Sequence, residues 1–99
     1  MAAKVSLTVN NKPIPIEDFV QQFIGNVITG MVTELKGPGE VKNIHLSIER
    51  DIVDIKLGDA SLSINPFVSR LIKNTVLGMV ATLKGVDGVV KSLEAVVSA

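Results

Sequence analysis

Four carboxylates, Glu49, Asp51, Asp54 and Asp59, fall within eleven residues and form the densest set of oxygen donors in the chain. A hard cation takes such oxygens, but their spacing is not that of a twelve-residue calcium loop. Arg50 and Lys56 also set cations among them, so solvated turns and no metal are expected. His45 is the single histidine and there is no cysteine, which excludes a thiolate nucleophile, a disulfide framework and a zinc site of the usual Cys type. It lies between Ile44 and Leu46 on the polar side of an alternating segment and reads as a solvated side chain. The seven serines have no histidine near in sequence and no G-x-S-x-G setting. Gly37-Pro38-Gly39 and Gly85-Val86-Asp87-Gly88 each follow a helical segment, so they do not offer the N-terminal amides a phosphate needs. Without a base and nucleophile pair the chain is expected to be no enzyme and to use no cofactor.

Asn26 and Asn74 are the most suggestive polar pair. Each interrupts a helical segment, and each stands beside a glycine, Gly30 and Gly78. These four residues are the candidate ligand-binding set, able to hold a small molecule between two helices. The plainer reading is that the asparagines hydrogen-bond across a helix contact. With Thr33 and Gly37, and with Ala81 and Gly85, they make two stripes of small residues at i, i+4, i+7 and i+11. Glycine in a helix costs about 1 kcal/mol against alanine, so paired stripes imply close approach of one helix to the other.

The elements that must position these residues are legible from periodicity. Val5, Leu7 and Val9 alternate with Ser6 and Thr8, turn residues follow at Asn10-Asn11, and Ile14 and Ile16 resume the pattern as a hairpin. Val53, Ile55 and Leu57, then Gly58-Asp59, then Leu62 and Ile64 make a second. Each hairpin leads into a helix, over about 17–36 and 66–84. Asn65-Pro66 supplies a side-chain cap and a first-turn proline, and both helices close on Lys-Gly. Ile44, Leu46 and Ile48 form a further strand, and 89–97 is assigned as its counterpart, although its residues also suit a short helix.

Phe23–Gly37 (FIGNVITGMVTELKG) recurs as Leu71–Gly85 (LIKNTVLGMVATLKG). At an offset of 48 residues eight of fifteen positions are identical, where unrelated segments give about one or two. The chain reads as a tandem ββαβ repeat over about 4–50 and 52–98. Two 48-residue units are too small to fold separately, so they share one core in a single domain of 1–99. The expected fold is a two-layer α+β sandwich with pseudo-twofold symmetry and two helices on one face of a largely antiparallel sheet. On each helix the apolar positions sweep roughly 220°, about twice what a sheet covers, so each helix should also touch its twin or another chain.

Composition narrows the partners. Ten basic and ten acidic residues cancel, so no field gathers polyanions, and nucleic acid is an unfavoured partner. The three aromatics, Phe19, Phe23 and Phe67, all fall on helices and not on an open sheet where bases stack. Pro66–Leu83 carries Arg70 and Lys73 and is shorter than the ~20 apolar residues of a spanning helix. The start shows no signal-peptide pattern, so a cytoplasmic protein is expected. Pro13 and Pro15 block one sheet edge, while Ala60, Ser61, Leu62, Ser63 and Ile64 form an unguarded edge able to pair with a second copy. A non-enzymatic interaction or assembly module, homodimeric through that edge or through surplus helix surface, is the first expectation. A carrier of a small apolar ligand is the alternative, with an internal cavity near Asn26 and Asn74. Leu71–Met79 (LIKNTVLGM) resembles the helix of ribosomal protein L6, a duplicated RNA-binding α+β family, and Lys12–Ile16 echoes its N-terminal tract. That resemblance covers fewer than fifteen residues and implies a third option, RNA binding through Arg70, Lys73, Lys84 and Lys91 gathered on one face.

Overall fold

A computed structural model of the protein describes residues 4–37, 43–50, 52–86 and 88–98. Alternation and turn chemistry set the strands. β1 (Lys4–Val9) and β2 (Lys12–Ile14) are joined by Asn10 and Asn11 at φ 50° and 67°. Asparagine tolerates this left-handed geometry, and two consecutive positive φ values match the twist of a two-residue hairpin. β3 (Ile44–Glu49), β4 (Ile52–Leu57) and β5 (Ala60–Leu62) follow, with Gly58 at φ 61° opening the second hairpin turn. β6 (Ser92–Ser98) takes up most of the 89–97 segment whose residues also suited a helix, starting three residues later and ending one later. Alternation decides it: Leu93, Ala95 and Val97 are buried while Glu94 and Val96 face solvent.

The six strands form one antiparallel sheet in the order β2-β1-β6-β3-β4-β5. β6, last in the chain, lies between β1 and β3, with Leu7 and Leu46 both opposite Ala95. The two shortest strands are the edges. The expected edge strand over 60–64 is paired only through Leu62, so Ser63 and Ile64 lie past its end.

α1 spans Asp18–Lys36 and ends where Gly37, at φ 89°, donates its N–H to Thr33 O. α2 spans Pro66–Val80 behind the expected cap, Asn65 Oδ1 accepting from Val68 N–H at 2.8 Å. It ends four residues before the expected Lys84-Gly85 close, with Ala81 as its C-cap. The Thr82 hydroxyl donates to Met79 O at 2.8 Å, and the Thr82 and Leu83 amides close i→i+3 bonds to Met79 and Val80, tightening the chain out of the α-helix.

Both helices lie on one face of the sheet, giving a two-layer α+β fold. Ile24, Ile28 and Val32 of α1 and Ile72, Val76 and Val80 of α2 meet Val5, Leu7, Val9, Ile44, Leu46, Ile48, Ile55, Leu93, Ala95 and Val97 in one core. Spacings of four residues on the helices and two on the strands bring these residues to a shared face.

Candidate functional site

One stripe of each helix fills the core, and flanking side chains such as Val20, Met31, Leu35, Val68, Leu77 and Met79 pack partly against it, but the outer part of the apolar arc stays exposed. Phe19 is 73% exposed and Phe67 72%, while Phe23 and Leu71 are each 54% exposed. Phe19 and Phe23 pack ring to ring, with centroids 6.3 Å apart. At 100° per residue, Phe19, Asn26 and Gly30 lie within about 20° of the direction opposite the buried centre of α1, and Phe67, Asn74 and Gly78 do so on α2. All six are exposed.

The expected close approach at the paired glycines is therefore not made among the described residues. A Cβ at Gly30 or Gly78 would meet no atom within 4 Å, because these residues face away from the sheet and not toward the other helix. The two helices approach instead where Phe19, Val20, Phe23 and Ile24 near the start of α1 line an open hollow of about 220 Å³ with Met79, Thr82 and Leu83 near the end of α2. Asn26 and Asn74 do not line it. It is smaller than the few hundred to a thousand cubic ångströms that holds a drug-sized ligand.

The opposite face of the sheet is polar. Ser6, His45, Glu49, Asp54, Lys56, Ser61 and Glu94 are exposed there and Thr8 and Ser47 are half-buried; Val96 and, opposite Glu49, the well-exposed Ile52 add isolated large apolar side chains. His45 Nε2 lies 3.1 Å from Glu94 Oε1. No local spacing pointed to this pair, because it depends on β6 lying beside β3. Thr8, Ser47, Glu49, Ser92 and Glu94 border a shallow hollow of about 160 Å³. Among the described residues no three His, Cys, Asp or Glu side chains are placed to hold a metal ion; Asp51 of the acidic run lies outside them. Arg70 and Lys73 border a hollow with Pro66 and Ser69 at the start of α2, whereas Lys84 lies past its end and Lys91 just before β6.

Two polar residues not singled out from the sequence hold the scaffold together. Asn10 Oδ1 accepts from the amides of Lys91 and Ser92, and its Nδ2 donates to Val89 O, which ties the first hairpin turn to the entry of β6. Gln21 Oε1 accepts from Val5 N–H beyond the end of β2, while Nε2 donates to Ile16 O. An asparagine in a turn and a glutamine on a helix are too ordinary in sequence to mark either role. No helix among the described residues is long and apolar enough to cross a membrane. Comparison with protein-family models, curated proteins and solved structures finds no match.

Proposed function

We propose that this chain is a non-enzymatic assembly module, descended from a duplicated ββαβ unit, that associates with a second copy of itself. The observation that carries the reading is the apolar surface left bare on the helical layer at Phe19, Phe23, Phe67 and Leu71. Large apolar side chains exposed in clusters on one face mark interaction sites in soluble proteins, whereas single scattered ones do not.

The duplication is supported by register. Leu7 faces Ile14, and 48 residues on Ile55 faces Leu62. Ile44, Leu46 and Ile48 correspond by burial to Leu93, Ala95 and Val97, so the offset becomes 49 in the last strand of each unit. Leu46 and Ala95, equivalent under that offset, face each other in the central strand pair, as residues beside a twofold axis do. Exposures of 73% and 72% at Phe19 and Phe67 follow the same pairing.

The competing readings have less behind them. A ligand carrier needs an enclosed cavity beside Asn26 and Asn74, which stand on the outer surface. RNA binding needs stacking aromatics on the open sheet and a gathered set of cations, whereas the aromatics are on the helices and Lys84 lies beyond the far end of α2 from Arg70 and Lys73. Sedimentation equilibrium at micromolar concentration tests the assembly reading. A mass twice the 10.5 kDa of the chain is expected, and a single-chain mass throughout would refute it.

A further inference from the structure

Self-association can use the β5 edge or the helical layer. Building on the assembly reading above, we propose that a second copy docks face to face on the helical layer, with Phe19 and Phe23 of α1 and Phe67 and Leu71 of α2 buried against the same residues of the partner copy.

Area favours this surface. A large aromatic side chain offers about 150–250 Å², so the exposed fractions of these four side chains amount to roughly 500 Å² of apolar surface on one chain. Two such faces in contact remove roughly 1,000 Å² before any flanking residue is counted, about the least that a biological interface clears. The β5 edge offers three residues, too short a ladder to hold two molecules, and short edge strands are a common guard against pairing.

Charge points the same way. On both helices the positions within about 40° of the outward direction are uncharged, including Asn26, Gly30, Asn74 and Gly78, so closing this face strands no ionised group away from water. An anionic lipid surface would call for lysines or arginines along that strip, and there are none. The open space above Gly30 and Gly78 leaves room for side chains of the opposing layer.

The occupant follows from the form of the patch. Phe19 and Phe23 lie at the start of α1 beside the end of α2, and Phe67 and Leu71 lie at the start of α2. Two similar apolar clusters thus occupy opposite ends of the layer. A partner must present two clusters with the same separation, and an isologous contact with a second copy does so by construction.

The test is sedimentation equilibrium of three proteins, with far-UV circular dichroism and thermal unfolding to establish folding. The wild type is expected as a dimer. Phe19→Glu combined with Phe67→Glu, at positions more than two-thirds exposed, is expected to stay folded and to weaken association by at least about a hundredfold. Ser61→Pro on β5 is expected to leave the dimer intact. Because the chain has no cysteine, an environment-sensitive dye on Asn26→Cys should shift to the blue as concentration rises, and the same dye on Glu94→Cys on the open sheet should not. A dimer that survives the double glutamate substitution, is lost on Ser61→Pro, or shields position 94 and not 26 overturns this interface while leaving self-association standing. A wild type that sediments only as a single chain overturns both.

Discussion

Asn10 carries more of the structure than its place in a two-residue turn suggests, since it holds a positive φ and makes three side-chain hydrogen bonds to the segment entering β6. Asn10→Ala removes the bonds and adds a left-handed alanine, which together should lower stability by about 2 kcal/mol in urea denaturation. Asn10→Gly relieves the conformational part alone and is expected to lose about half as much. Gly30 gives the opposite sign. Its φ is ordinary for a helix and a Cβ there meets nothing, so Gly30→Ala should raise stability by about 0.5–1 kcal/mol. That measurement belongs in the Phe19→Glu, Phe67→Glu background, where association does not contribute to unfolding. A loss of stability in that background would mean that the glycine is held closely by its own chain.

Strands with alternating apolar residues and helices with flanking caps were readable in the chain because both depend on neighbours within a few residues, as with Val5-Leu7-Val9 and Asn65-Pro66. What was not readable depends on partners far along the chain. The paired glycines implied helix contact, yet a helical stripe records only a shared direction, and the sheet chose which stripe to bury. The end of α2 was set by the Thr82 hydroxyl competing for a carbonyl that periodicity does not see. The pairing of His45 with Glu94 and the clamp at Asn10 both required knowing that β6 is a central strand. That placement also makes Ala95 critical. It is fully buried between Leu7 and Leu46 on the flanking strands, so Ala95→Leu should cost about 1–3 kcal/mol by overpacking. Combining it with Leu46→Ala restores the volume of the pair, and a double-mutant cycle is expected to show recovery of at least about 1 kcal/mol relative to additivity.

Across the whole molecule, the third strand of each proposed unit pairs with the hairpin of the other unit: β6 with β1, and β3 with β4. Neither unit therefore owns a complete sheet. A row of buried side chains, Leu7, Ala95, Leu46 and Ile55, crosses the four central strands where the two units meet. If residues 1–50 paired with themselves about the same axis, that row would read Leu, Leu, Leu, Leu; residues 51–99 would give Ile, Ala, Ala, Ile. The first is overfilled and the second leaves a void, whereas the mixed pair interleaves large and small residues as a close-packed core requires. Separate peptides of residues 1–50 and 51–99 should each lack cooperative thermal unfolding. Mixed in equal amounts, they should form a 1:1 complex that unfolds cooperatively, as followed by circular dichroism and light scattering. A well-folded homodimer of residues 1–50 alone would mean that the large-small alternation at Leu46 and Ala95 does not select the pairing. The two units would then still be interchangeable, and the sequence divergence between them at this row would have no energetic consequence.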